Sequence, residues 1–141
     1  MKRPERILVG LKTVDHAGEL TELACHLAAE GASLLLVHVI ELPDPTPLYA
    51  EVPELETTAK EILEKASRIA ESSQMKVRTL IVRAHNAASA LLDEMKQNKI
   101  ELSVFGYHHR RTLGEIILGT TAQHLVKNAP CRLVFNIPPR S

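Results

Sequence analysis

The sequence has few aromatic residues and no excess of charge of either sign. Tryptophan is absent and aromatic residues make up 3% of the chain, which argues against the ring platforms that stack nucleic-acid bases. Lys and Arg number 17, and Asp and Glu also number 17. The sequence therefore lacks the basic excess of a general nucleic-acid-binding protein, and we expect no nucleic-acid partner.

Long hydrophobic runs and closely spaced cysteines are also missing. The longest unbroken apolar run is Leu34 to Val37, far below the ~18–20 residues that a membrane span needs. The opening residues, MKRPERILVGL, lead into a strand-like pattern rather than a signal peptide. Cys25 and Cys131 are too far apart for a zinc or disulfide framework. We expect both to be small apolar residues in a cytoplasmic protein that does not insert into membranes.

Hydrophobic residues make up 45% of the chain, which is enough to form the core of one domain. We expect that domain to span residues 1–141. Nearly continuous apolar runs are typical of strands buried on both faces of a parallel sheet. Five such runs occur: Arg6–Leu11, Ser33–Ile40, Met75–Ala84, Leu102–Phe105 and Cys131–Ile137. Helix-periodic stretches separate them. Asn86 is expected to cap the third helix, and Thr120-Thr121-Ala122-Gln123 has the form of a capping box for the fourth.

Strictly alternating strands and helices predict an α/β fold, a single doubly wound, Rossmann-like layer of five parallel strands with helices on both faces. Ligands of such sheets bind beyond the carboxyl ends of the strands, where the strand order reverses. The candidate loops are Gly10–Asp15, Val39–Pro43, Ala84–Asn86 and Gly106–Gly119. The proline-rich segment 42–53 is expected to be a rigid surface connection, with a flap or a partner-binding loop as the alternative.

The loop from Gly106 to Thr121 favours an anion. Glycines permit positive φ angles and close approach of backbone N–H groups. Gly119, Thr120 and Thr121 present a helix N-terminus and two hydroxyls, a combination suited to phosphate. The basic run 108–111, which contains His109 and Arg110, adds positive charge.

Gly106, His109 and Gly119-Thr120 occur at a spacing that resembles the G-x2-G-x9-G-[S/T] nucleotide loop of universal stress proteins. The resemblance extends to ILVGL, LLLVHVIE and NAPCRLVFNI, and so covers nearly the whole chain. The sequence resembles both the stand-alone members of this family and the cytoplasmic stress-protein domains of some permeases and antiporters.

The resemblance implies strand order 3-2-1-4-5 and a homodimer joined through the last strand, Cys131–Ile137. It also implies a regulatory domain that binds ATP or AMP between the ends of the first, second and fourth strands. The residues that correspond to the adenine side of the family's site are Gly10, Leu11, Lys12 and Val39. Those that correspond to its phosphate side are Gly106, His109, Gly119, Thr120 and Thr121, with Arg110 beside them.

Two positions depart from the family pattern. Lys12 stands where the family has an Asp, and His109 stands at the second glycine of the motif. An alternative therefore stays open, a dimeric protein-interaction module that works without nucleotide. Its contact would be the proline-rich or the basic loop, with an unidentified protein as the partner.

The residues do not predict an enzyme or a metal centre. No phosphate-loop lysine motif, nucleophile elbow or converging acid pair occurs, so at most slow hydrolysis of bound ATP is expected. The seven histidines lack metal-ligand spacing, and His38 lies within an apolar run as a hydrogen-bonded core residue would. Asp15 and Glu41 are the acids placed to hold Mg²⁺ beside a phosphate, although solvated loop acids are the expected state of both.

The motif position of His109 predicts that ATP binds more tightly at pH 6 than at pH 8. A residue with a Cβ costs about 1–2 kcal/mol at a left-handed loop position, and a charge-assisted bond to phosphate contributes roughly 1.5–3 kcal/mol. Imidazole titrates near neutral pH, so the ring is charged at pH 6 and mostly neutral at pH 8. Titration calorimetry of ATP and adenosine at both pH values measures the effect, which should be larger for ATP. His109→Gly should flatten it, and equal ATP affinity at the two pH values would show that the ring does not contact phosphate.

Overall fold

The computed structural model describes residues 1–107, 110–112, 115–117 and 119–139. The elements are β1 (Arg6–Gly10), α1 (Val14–Leu27), β2 (Ser33–Glu41), α2 (Pro53–Ser72), β3 (Lys76–Ala84), α3 (Ala87–Gln97), β4 (Leu102–Gly106), β5 (Arg110–Thr112), β6 (Glu115–Ile117), α4 (Thr120–Asn128) and β7 (Arg132–Asn136). Within the described residues, the five predicted strands alternate with four helices along the chain as expected, and two short strands, β5 and β6, are added between β4 and α4.

Five of the strands form one parallel sheet in the order β3-β2-β1-β4-β7. This confirms the order 3-2-1-4-5 when the strands of this sheet are counted along the chain. The strands β5 and β6 form a separate antiparallel pair in the segment that we expected to be a loop. Each has three residues, too few to show an alternating pattern in the sequence.

The central strand β1 is buried on both faces. Ile7, Leu8 and Val9 are each 0% exposed, because successive side chains of a strand point to opposite sides of the sheet. Ile7 and Val9 pack into a core with α1 and α2. Leu8 packs into a second core with α3 and α4. The two helical layers predicted from the sequence are therefore present, one on each face.

The ends of the helices confirm one predicted cap and correct another. Asn86 is the N-cap of α3, and its side chain accepts a hydrogen bond from the Ser89 N–H at 2.9 Å. The capping box predicted at Thr120 is wrong. The N-cap of α4 is Gly119, which has no side chain with which to cap the helix, and Thr120 is already the first helical residue.

The two cysteines are half-buried and free, in agreement with their expected role as small packing residues. Burial raises the pKa of both thiols. The Cys131 sulfur also lies 3.4 Å from the Ser103 hydroxyl oxygen, which partly opposes the effect of burial. Among the helices within the described ranges, none is both long and apolar enough to cross a membrane.

The end of β1 is fixed by a close contact between Gly10 and the ring of Phe105. A Cβ placed on Gly10 would lie 2.5 Å from two ring atoms, Cδ1 and Cε1 of Phe105. The Phe105 ring is held in turn by Phe135, whose ring centroid lies 5.7 Å away. Gly10 is therefore required because the ring occupies the space of its side chain.

We expect Gly10→Ala to lower the free energy of unfolding by about 1–3 kcal/mol, because overpacking forces a buried ring to move. Phe105→Leu removes the ring, so the double variant should lose less than the sum of the two single variants. Urea unfolding of all three measures the coupling. Gly119→Ala is the matched control, since a Cβ there meets nothing within 4 Å. Additive losses would show that the ring does not constrain Gly10.

Candidate functional site

Strand β2 extends further than β1 and β4 at the carboxyl edge of the sheet, and the shorter strands leave a crevice there. The last residue of β1, Gly10, pairs with Val37 of β2 and with Phe105 of β4. Strand β2 continues beyond that point to Glu41, which still pairs with Ala84 of β3. The chain runs from β1 outward to β3 and then crosses back to β4. The crevice therefore lies where the strand order reverses, the usual ligand position in such sheets.

The backbone of Val39 faces this crevice. In parallel pairing, alternate residues of a strand direct both N–H and C=O to the same neighbour. Val37 accepts a bond from the Leu11 N–H at 2.8 Å and so faces β1, whereas Leu42 donates to Ala84 at 2.8 Å and so faces β3. Val39 shares the direction of Val37, but β1 has already ended beside it. Within the described ranges, no backbone group pairs with its N–H and C=O.

Leu11, by contrast, has both of its backbone groups occupied. Its N–H donates to Val37, and its carbonyl accepts a bond from Nδ1 of His38 at 2.7 Å. Because a carbonyl only accepts, Nδ1 of His38 carries the proton. The Leu11 side chain is 3% exposed and lies in the core with α1 and α2. Leu11 therefore shapes the floor of the crevice, and His38 is the hydrogen-bonded core histidine that the sequence predicted.

Two further residues lie between β1 and α1. Lys12 is exposed and brings a positive charge to the carboxyl edge of the sheet. Thr13 is the N-cap of α1 without a side-chain capping bond. Its hydroxyl oxygen is buried and has no hydrogen-bond partner among the described residues. No sequence pattern predicts this unpaired hydroxyl, since Thr is a common N-cap that usually bonds to its own helix.

The end of β4 forms the other side of the crevice. Gly106 is exposed, and a Cβ on it would lie 3.1 Å from Cδ1 of Leu20 in α1. Its neighbour Tyr107 is buried and donates its backbone N–H to the Asn136 carbonyl at 3.1 Å. A side chain at position 106 would therefore press against α1, so the glycine keeps the helix close to β4.

The start of α4 offers backbone N–H groups. Gly119 has φ −67° and ψ 164°, and no side chain caps the helix. The first N–H groups of a helix have no intrahelical acceptor, and Thr120 and Thr121 are exposed beside them. Neither Gly106 nor Gly119 has a positive φ, so the conformational reason we expected for these glycines is wrong. What Gly119 provides is open space, because a Cβ there meets nothing within 4 Å.

Two of the residues predicted to contact phosphate are not placed by the structure. His109 lies outside the described residues. The backbone of Arg110 begins β5, while its side chain lies outside the described part of the chain.

The acids considered for Mg²⁺ have different environments. Glu41 accepts a hydrogen bond from the Ala87 N–H at 2.7 Å through Oε2, so it stabilises the start of α3. Asp15 is exposed in the first turn of α1. Within the described ranges, no group of three His, Cys, Asp or Glu side chains is arranged to hold a metal ion. The His85 ring is instead bonded to the backbone, because its Nδ1 donates to the Leu42 carbonyl at 2.9 Å.

Two surface depressions of the described residues lie away from this edge. One of about 510 Å³ separates α2 from β3, and one of about 700 Å³ lies at the amino ends of the strands beside residues 1–4. We place the site by strand ends and free backbone groups rather than by the volume of a depression.

A five-stranded parallel sheet of this order, with helices on both faces, defines a doubly wound, Rossmann-like α/β domain. The chain belongs to the universal stress protein family, whose model matches residues 4–135. A universal stress protein encoded in the QAH/OAS sulfhydrylase 3' region of Thermus aquaticus is 31% identical over 135 residues, which cover 92% of this chain and 96% of the relative.

Solved structures share the fold. The structure titled as hypothetical protein MJ0577 superposes with a TM-score of 0.80 at 18% identity, over 99% of this chain and 100% of its own. The universal stress protein of Archaeoglobus fulgidus in complex with dAMP superposes with a TM-score of 0.72 at 18% identity, over 95% and 98% of the two chains. Two other similar structures hold cAMP and AMP.

Proposed function

We propose that this protein binds an adenine nucleotide, ATP or AMP, in the crevice between the ends of β1, β2 and β4, and that it acts as a regulatory, stress-response domain. The observation that carries the proposal is the free backbone N–H and C=O of Val39, next to the point where β1 ends. The adenine nucleotides held by solved structures of the same fold support it.

We propose that hydrogen bonds to the backbone of Val39 recognise the adenine base. The pairing edge of adenine has an amino donor beside a ring-nitrogen acceptor, which complements one peptide C=O and one peptide N–H. Val39 offers both groups from a single residue, and its half-buried side chain packs with the core under α3 and α4. Gly10, Leu11 and Lys12 would line the opposite side of the base and ribose.

We propose that positive charge at the N-terminus of α4 and at Lys12 binds the phosphates. The N-terminus of α4 carries a partial positive charge and uncapped N–H groups, and the space at Gly119 leaves room for an anion. Thr120 and Thr121 add hydroxyl donors. Lys12 adds a full positive charge at the same edge. We propose that Gly106, His109 and Arg110 complete this side of the site.

Mg²⁺ would reach the site together with ATP. Glu41 already bonds to the start of α3, which leaves Asp15 as the nearest exposed carboxylate along the chain, and one carboxylate does not make a resident site. The described residues also show no nucleophile with an adjacent base. We therefore propose binding and regulation, with at most slow hydrolysis of bound ATP.

We expect ATP and AMP to bind with micromolar dissociation constants and GTP to bind more weakly, because guanine presents the opposite donor and acceptor at its edge. Titration calorimetry at physiological salt measures all three. Gly119→Val fills the open space at α4 and should weaken ATP binding at least tenfold, while adenosine binding changes little. Val39→Pro removes the N–H and should weaken both, with Val39→Ala as the control that keeps it.

Failure of ATP and AMP to bind below millimolar concentration would contradict the proposal. The protein would then be the nucleotide-independent interaction module. Equal losses of ATP and adenosine binding in Gly119→Val would place the phosphates away from α4.

We propose further that two chains pair through the last strand, segment Cys131–Ile137. Strand β7 lies at one edge of the sheet, and Phe135 is half-buried while Ile137 is 44% exposed. An open apolar edge strand is a template for aggregation, which twofold pairing removes. Light scattering after gel filtration should therefore give a mass above the 15.6 kDa of one chain. A 15.6 kDa particle at high micromolar concentration would contradict this pairing.

A further inference from the structure

The opposite edge of the sheet, formed by β3, is also open. Lys76 donates its N–H to Ala32 at 2.9 Å, and the Ala84 carbonyl accepts from Leu42 at 2.8 Å. The even-numbered residues of β3 therefore face β2. The odd-numbered residues between them direct their N–H and C=O groups away from the sheet, and within the described ranges no strand pairs with that side. They are Val77, Thr79, Ile81 and Arg83.

Of the three cations in β3, Lys76 begins the strand and is exposed, and the two arginines are bound to the chain's own residues. Arg78 donates to Oδ1 of Asn98 at 2.6 Å. Arg83 donates to the Ala50 carbonyl at 2.6 Å and forms an ion pair with Glu56. Basic side chains often protect an edge strand against pairing, but these two are held at its ends. The middle of the edge stays uncovered, and Ile81 is 37% exposed there.

A groove of about 510 Å³ runs along the middle of this edge, between β3 and α2. Its floor is apolar and includes Leu63 and Ile81, whereas the Leu80 side chain packs with the core under α3 and α4 on the other face. Its rim consists of charged residues of α2 that alternate in sign along the helix. They are Lys60, Glu64, Arg68 and Glu71.

This alternation is self-complementary. If a second copy is placed antiparallel about a twofold axis, Lys60 of one helix lies opposite Glu71 of the other, and Glu64 lies opposite Arg68. The same axis, passed through Leu80, brings Thr79 opposite Ile81 of the second copy and Val77 opposite Arg83. The same twofold rotation therefore pairs the free backbone groups of the two β3 strands and brings opposite charges of the two α2 helices together. A contact between identical surfaces requires this self-complementarity.

We propose that the β3 edge pairs with the β3 edge of a second copy of this chain, antiparallel and centred on Leu80. This surface is separate from β7 and from the nucleotide crevice, so the inference goes beyond the proposed function. An extended peptide from another protein would satisfy the same backbone groups, but the charge order of α2 favours a copy of α2 itself.

Charge exchange tests the contact between the two copies of α2. Glu64→Lys places two cations together at both symmetric contacts, and Arg68→Glu places two acids together there. Each variant should pair through this edge about tenfold more weakly than the parent chain. In an equimolar mixture, position 64 of one variant meets position 68 of the other with opposite charge at both contacts. The mixture should therefore recover pairing that neither variant shows alone.

A cysteine cross-link separates this contact from the β7 pair. In a Cys25→Ala, Cys131→Ala background, Leu80→Cys brings two thiols together at the axis, where facing residues of an antiparallel pair have Cα atoms about 4.5 Å apart. Mild oxidation should give a covalent dimer on a denaturing gel, which a non-covalent β7 pair cannot produce. The exposed position Ser89→Cys on α3 is the control and should cross-link far more slowly.

Ile81→Pro removes an outward N–H without removing a bond to β2, which edge strands tolerate. Added to Leu80→Cys, it should reduce cross-linking at least tenfold, and Glu64→Lys should reduce it as well. Cooperative urea unfolding of each variant shows that it is folded. A Leu80→Cys cross-linking rate equal to that of Ser89→Cys, or unchanged by Glu64→Lys and Ile81→Pro, would overturn the proposal.

Discussion

The burial of β1 on both faces is the constraint on which the other elements depend. Three consecutive side chains, Ile7, Leu8 and Val9, have no exposed surface, so each face of this strand must be covered by a helical layer. Both cores are built on the same backbone, and neither pair of helices can be lost without exposing β1. The strand ends where Gly10 meets the Phe105 ring, and the crevice begins at that point. The candidate site therefore begins next to this contact, with Leu11 still buried in the core beneath it.

The sequence predicted the elements whose signals are local. Continuous apolar runs located the five strands of the sheet, and Asn86 was recognisable as a cap because its side chain acts within one helical turn. The capping box at Thr120 was wrong because the N-cap position lies one residue earlier, at Gly119, and Thr120 is already helical. The strands of the β5–β6 pair were too short to show a period. The extension of β2 past β1 was also not predictable, because pairing register depends on partners distant in the chain.

The candidate site was predictable by position more than by chemistry. Its proposed residues lie at the carboxyl ends of the strands or just after them, although Gly10, Val39 and Gly106 belong to the strands and not to the loops that the sequence predicted. The role of Val39, however, depends on backbone groups, which no side-chain pattern reveals. The three glycines of the site also have three different surroundings at the position of a side chain. At Gly10 a ring fills the space, at Gly106 a helix lies close, and at Gly119 the space is open. A motif written only as glycines does not distinguish these cases.

A sheet with open strands on both sides differs from a barrel, which has no edges to protect. Like-to-like contacts at β3 and at β7 would alternate along a row of molecules, which stays open unless the two twofold axes intersect. Because sheets twist by roughly 20–25° per strand, the row would wind into a helical ribbon. Its average length would rise with protein concentration by mass action, and occupation of either edge by another molecule would terminate it.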